Sequence, residues 1–104
     1  MKLKSNSVNI AGIRPELLFA VMVADKVYSE HGVECVITSV TDSKHGTTSL
    51  HYAGCAVDLR TSVFKSEDYA KAVSDEIRQR LNIDYDVIFE GDHIHIEWQP
   101  RYRG

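Results

Sequence analysis

An α+β domain, a small and mainly antiparallel sheet covered by two helices, is the architecture this sequence predicts. Three observations carry it. Apolar residues recur at helical spacing in two stretches, from Leu17 to Tyr28 and from Tyr69 to Leu81. Four other segments, Val33–Val40, Cys55–Arg60, Tyr85–Glu90 and His93–Trp98, are β-branched or alternate apolar with polar. Gly91-Asp92 joins the last two as a tight hairpin. With 104 residues, 43% of them hydrophobic and 26% charged, residues 1–104 make one domain with a single core.

The elements follow in order. Pro15 opens the first helix, where a missing N–H costs no hydrogen bond. Leu17, Leu18, Val21, Ala24, Val27 and Tyr28 form its apolar face. His31 stands at the negative helix end and Gly32 stops it. A buried strand follows over Val33–Val40, then a polar loop over Thr41–Thr48. In Cys55–Arg60, Ala56, Asp58 and Arg60 share one face, while Cys55, Val57 and Leu59 take the other. Ser66 caps the second helix, with Glu67 and Asp68 in its first turn and Arg78 and Arg80 in its last. Its expected buried stripe is Tyr69, Ala72, Val73, Ile77 and Leu81. The tail 99–104, with two arginines and a proline, is expected to be loose.

Composition narrows the function classes. The formal charge is −3 and the basic residues are scattered, so no nucleic-acid footprint is present. No segment approaches the run of ~20 apolar residues that a membrane span needs. Met1–Ser7 is basic without an apolar run behind it and does not read as a secretory signal, so a cytoplasmic site of synthesis is expected. Cys35 and Cys55, the two cysteines, sit in apolar strand-like runs and read as buried reduced thiols rather than a disulfide.

Histidine stands out, with five copies. In His93–Trp98, Ile94, Ile96 and Trp98 alternate with His93, His95 and Glu97, so one strand face is apolar and the other ionisable. Upstream, His51 precedes Asp58 by one loop-to-strand transition, with Gly54 allowing close backbone approach. An aspartate between Val57 and Leu59 is costly unless its charge is paired. A divalent cation would pair it; Arg60, on the same face, is the competing explanation. Two imidazoles and a carboxylate with room for a water make the ligand count of a catalytic zinc site.

The run Ser49-Leu50-His51-Tyr52-Ala53-Gly54-Cys55-Ala56-Val57-Asp58, followed by Asp92-His93-Ile94-His95, resembles the zinc D-Ala-D-Ala carboxypeptidase and L-Ala-D-Glu endopeptidase family. That group includes phage endolysins and shares its fold with the Hedgehog signalling domain, to which Thr48–Tyr52 and Ala56–Asp58 are especially similar. The resemblance extends from about Asn9 to Trp98.

The resemblance implies that His51, Asp58 and His95 bind Zn²⁺, that Asp92 is the catalytic carboxylate and that His93 stabilises an oxyanion. Ser49 supports the first ligand; Tyr52, read from its place after that ligand, either borders the substrate groove or packs. It also implies a hydrolase of peptidoglycan peptides comparable to phage enzymes that reach the cell wall with help; a monomer with no nucleic-acid or membrane partner is expected. Strict strand alternation puts Asp92 opposite His93 and His95, so the bend at Gly91 has to re-aim it; otherwise Glu90 is the base. Many members carry an arginine for a substrate carboxylate where this chain has Asp42, leaving Lys44, Arg60 or Arg14 as substitutes. His45 reads as a surface residue of the loop before the motif. A zinc-stabilised binding module of the same fold, without turnover, is the alternative reading.

Overall fold

The computed structural model describes residues 1–5, 8, 13–42 and 55–99. Among them are strand β1 (Lys2–Leu3), helix α1 (Pro15–Glu30), strands β2 (Val36–Asp42) and β3 (Cys55–Arg60), helix α2 (Glu67–Arg80), and strands β4 (Tyr85–Phe89) and β5 (His93–Trp98). The domain is α+β, with a five-stranded mixed sheet ordered β1-β2-β3-β5-β4. β1 runs parallel to β2 and the other pairings are antiparallel. None of the helices among the described residues is long and apolar enough to cross a membrane.

Helix α1 begins with Pro15 at its first turn and ends in a left-handed glycine, Gly32 at φ 75°. Gly32 N–H donates to the Ser29 carbonyl at 3.0 Å and Val33 N–H to the Tyr28 carbonyl at 3.1 Å. This paired closure satisfies carbonyls that the helix end would otherwise leave without partners. It also recruits Val33 to the helix end, which is why β2 starts at Val36 and not at Val33 as expected. At its far end β2 takes Thr41 and Asp42, opposite Ala56 and Cys55, from the segment expected to be a loop; the cross-strand ladder outweighs their polar character.

Both helices pack on one face of the sheet, α1 against β3 and β5 and α2 against β4. The core between the layers joins Leu17, Val21, Ala24 and Tyr28 of α1 to Val73 and Ile77 of α2 and to Val57, Leu59, Val87, Ile94 and Ile96 of the sheet. Tyr28 is buried but not unsatisfied, because its hydroxyl donates to the Arg60 carbonyl at 2.8 Å. Cys35 is a free buried thiol, and burial pushes its pKa up to about 12.

Two expected stripes are rotated. On α1, Ala20 is buried and Leu18 exposed. On α2, Ala70, Val73, Ser74 and Ile77 face the core, while Tyr69 and Ala72 are exposed. Residues at i, i+3, i+4 and i+7 align better along one helix face than the expected set. Ser74 tolerates burial by donating to the Lys71 carbonyl at 2.7 Å. Tyr69 lies at the helix edge, stacked on Phe64 and bonded through its hydroxyl to His31 Nδ1 at 2.8 Å. Ser66 caps α2 as expected, accepting from Tyr69 N–H at 3.1 Å. β1 was not anticipated; two residues carry no readable periodicity, and its Lys2 N–H donates to the Cys35 carbonyl at 2.9 Å.

Candidate metal centre

Cross-strand register builds the site. β3 and β5 pair so that Arg60 opposes His93, Asp58 opposes His95 and Ala56 opposes Glu97. Residues directly opposite in an antiparallel pair project to the same face, so Arg60, Asp58, His93, His95 and Glu97 all lie on the sheet face away from the helices. On β4, Ile88 opposes His95 and Asp86 opposes Glu97, and Glu90 continues that alternation beyond the strand end. Ile94 and Ile96, on the other face of β5, are fully buried.

The side chains meet closely. His95 Nδ1 is 2.8 Å from Asp58 Oδ1, and His95 Nε2 is 3.1 Å from Glu97 Oε1. Gln99 donates its amide to the other oxygen of Glu97. His93 Nε2 lies 3.1 Å from Glu90 Oε1 and 3.8 Å from Asp58 Oδ1, while its Nδ1 is 2.5 Å from Asp92 Oδ1. Glu90 Oε1 is also 3.9 Å from His95 Nδ1. Donor atoms of Asp58, Glu90 and His93 fall within 4.8 Å of one another.

The hairpin turn explains how β4 and β5 deliver these groups. Glu90 N–H donates to the His93 carbonyl at 2.9 Å, and Gly91 takes φ 92°, a conformation that disfavours any side chain. Asp92 sits at the tip, with its side chain 89% exposed, and turns back onto His93. Glu90 points to the Asp58 side of the same imidazole. Both carboxylates considered for the base are therefore present, one on each nitrogen of His93.

Electrostatics favour cations here. The Asp92 hydrogen bond raises the His93 pKa, opposed by desolvation and helped by Asp58 and Glu90. At His95, desolvation opposes the charged form, but hydrogen bonds to Asp58 and Glu97 and the charge of Glu90 outweigh it, so its pKa is also raised. Two imidazoles among four carboxylates attract protons for the same reason that they would attract a divalent ion.

The donor types, imidazole nitrogen and carboxylate oxygen, are ones that zinc accepts. With Zn–N and Zn–O bonds of 2.0–2.2 Å, tetrahedral ligands stand about 3.4 Å apart. Asp58 Oδ1 and His95 Nδ1, 2.8 Å apart in a direct hydrogen bond, are closer than that spacing. Glu97 accepts from Nε2 of His95, which leaves Nδ1 as the nitrogen that faces Asp58. A carboxylate on the outer nitrogen of a ligating histidine fixes its tautomer and orientation.

Of the residues singled out in the sequence, Asp58, His93, His95, Asp92 and Arg60 converge on one face, and Glu90 joins them. Ser49, His51 and Tyr52, with Lys44 and His45, lie outside the described residues. Arg14 stacks on Trp98, with its guanidinium carbon 4.8 Å from the ring centroid. His31 ties α1 to α2, 3.0 Å from Glu76 and 2.8 Å from the Tyr69 hydroxyl. Glu97 was not singled out as a supporting residue, although its place two residues after His95 on the same strand face was readable. Lys4 was not singled out either. It lines a cavity of about 280 Å³ with Thr38, Asp58, Arg60, Asp92 and His93, and no local pattern announces that. Comparison with protein-family models, curated proteins and solved structures finds no match to this chain.

Proposed function

We propose that this chain is a zinc-dependent peptidase of the Hedgehog/DD-peptidase fold. Its substrates are peptidoglycan stem or cross-link peptides, cut in the manner of D-Ala-D-Ala carboxypeptidases or L-Ala-D-Glu endopeptidases. One observation supports this above the rest: Asp58 and His95, far apart in sequence, are direct cross-strand partners 2.8 Å apart, with Glu97 holding the outer nitrogen of His95. His51 is the proposed third ligand on the strength of the Ser49–Asp58 motif.

Zinc at such a site lowers the pKa of a coordinated water to about 7 and polarises a peptide carbonyl. The residues around it have separable tasks. Asp92 accepts the proton of the attacking water and returns it to the departing amine. His93, held at Nδ1 by Asp92, turns Nε2 toward the Asp58 side, where it would stabilise the oxyanion that develops on the carbonyl. Asp92 lines the cavity that also contains Asp58, His93 and Arg60, which supports it as the base. A second assignment has its own support: Glu90 is nearer to Asp58 and His95, and in that reading it takes the proton while Asp92 orients His93.

Zinc content of protein purified without chelator, together with mass spectrometry of purified peptidoglycan after incubation, tests the proposal. About one zinc per chain and release of fragments ending at D-Ala or L-Ala are expected. Zinc without fragments would favour the binding module, and a chain that takes up no metal would end the peptidase reading.

A further inference from the structure

We infer that Asp58, Glu90 and His93 form a second divalent-cation site beside the proposed zinc, sharing Asp58 with it, and that filling this site stops turnover. The peptidase reading uses one ion and does not need this one; only the effect on turnover rests on that reading. His93 Nε2 lies 3.1 Å from Glu90 Oε1 and 3.8 Å from Asp58 Oδ1. These separations stand on either side of the spacing of about 3.4 Å between ligands of a tetrahedral zinc. The three donor atoms all lie within 4.8 Å of one another. An entering ion displaces the proton that Nε2 shares with Glu90 and meets one imidazole nitrogen and two carboxylate oxygens.

An independent feature points to the same ion. A ligating histidine almost always has its outer nitrogen held by a carboxylate, a carbonyl or water. His95 has that arrangement, with Glu97 on Nε2 and Asp58 facing Nδ1. His93 repeats it with the nitrogens exchanged: Asp92 Oδ1 is 2.5 Å from Nδ1, and Nε2 faces Glu90 and Asp58. The two imidazoles stand two residues apart on β5, and Asp58 reaches both. A carboxylate carries two oxygens, enough to serve two ions about 3.5–4 Å apart, as in two-metal sites. Glu90 is placed in advance by its N–H bond of 2.9 Å to the His93 carbonyl and by Gly91 at φ 92°.

This is the weaker of the two sites. Lys4 and Arg60 line the same cavity as Asp58 and His93, and their charge opposes a second ion. The Glu90 side chain is 46% exposed, so water competes for it. One zinc is therefore expected to survive purification, with the second bound only when zinc is in excess. In the peptidase reading Nε2 of His93 stabilises the oxyanion, and an ion on that nitrogen takes this role away.

The experiment titrates the metal-free full chain with zinc alone, in competition with a chromogenic chelator. Wild type should bind two ions, the second at least tenfold more weakly than the first. Glu90→Gln should abolish the second event and keep the first within threefold. Asp92→Asn, which leaves the three donors in place, should weaken the second by about 10–100-fold. Asp58→Asn should weaken both, and His51→Ala only the first. Hydrolysis of purified peptidoglycan by wild type should fall at least tenfold as zinc rises through the range of the second event. The rate of Glu90→Gln, relative to its own value at one zinc per chain, should not fall.

A single event that Glu90→Gln retains, or a weaker event that survives in it, overturns the site. Should Glu90→Gln fail to fold, an unchanged second event in Asp92→Asn overturns it instead. Turnover undiminished while the second ion binds overturns the claim that the ion stops it. Two events without cleavage at any zinc level uphold the site and sink the peptidase reading with the claim about turnover. A single event lost in Glu90→Gln but kept in His51→Ala upholds these three donors and sinks the ligand set of the peptidase.

Discussion

Glu97 accepts from Nε2 of His95 at 3.1 Å while Nδ1 of the same ring faces Asp58 at 2.8 Å, so one imidazole is oriented from both sides. Removing such an outer partner typically costs 10–100-fold in metal affinity. Glu97→Ala is accordingly expected to weaken zinc binding by a factor of that order, read by competition with a chromogenic chelator, while leaving the melting temperature of the metal-free chain nearly unchanged. An affinity equal to wild type would show that Glu97 does not orient the ligand. The two carboxylates on His93 separate in the same way. Asp92→Asn is expected to lower kcat by at least a hundredfold with zinc retained, whereas Glu90→Gln leaves kcat within tenfold. The reverse order in a single hydrolysis assay would transfer the role of base to Glu90. Local sequence made most of this legible: alternation through His93–Trp98 placed both histidines and Glu97 on one face. The choice between Glu90 and Asp92 was not legible, since it depends on how a glycine at φ 92° aims the turn.

At the level of elements, the β4–β5 hairpin carries three of the groups given roles in the proposal, Glu90, Asp92 and His93, on a turn closed by Glu90 N–H to the His93 carbonyl at 2.9 Å. An added Cβ at Gly91 meets no atom within 4 Å, so the cost of substitution there is conformational alone. Gly91→Ala should destabilise the domain by about 1–2 kcal/mol in urea unfolding, the penalty for a left-handed backbone with a side chain. Gly91→Asn should lose less, because asparagine tolerates that region better. Identical unfolding midpoints for all three chains would mean the turn relaxes freely. Helix ends were readable because they use local signals: Pro15, Gly32 and Ser66 each act within a few residues of their place in sequence. Helix rotation was less readable. Ala20, Ala70 and Ser74 reach the core in place of Leu18, Tyr69 and Ala72, and small side chains carry little hydropathy to mark a contact face.

Across the whole molecule, protons and a metal would compete at the proposed site. His93 and His95 both have raised pKa values in the metal-free chain. Folded-state values above the unfolded one, about 6.5, mean that their charged contacts stabilise the fold fully below that pH. This contribution fades as pH rises through the raised values. In the proposed site zinc would need the neutral ring of His95, so its affinity would move oppositely and fall as pH drops through the raised value of that residue. Melting curves with zinc and with chelator, recorded from about pH 5.5 to about 8.5, should show a zinc-induced stabilisation that grows with pH. The chelated chain should lose part of its own stability over that interval. A zinc shift independent of pH would mean that His95 does not bind the ion.

What the amino-acid order determined by itself is chemistry of short reach: where helices start and stop, which strand face is ionisable, and which residue types can hold a metal. Each depends on neighbours within one or two turns or along one strand. The tertiary structure alone decided that Asp58 stands opposite His95 and Arg60 opposite His93. It also set the register shift between Ile37 and Ser39, and brought Lys4 into the cavity through the parallel pairing of β1. Strand register is the net result of many weak contacts between distant segments, and slipping it by one residue would send every one of these side chains to the opposite face.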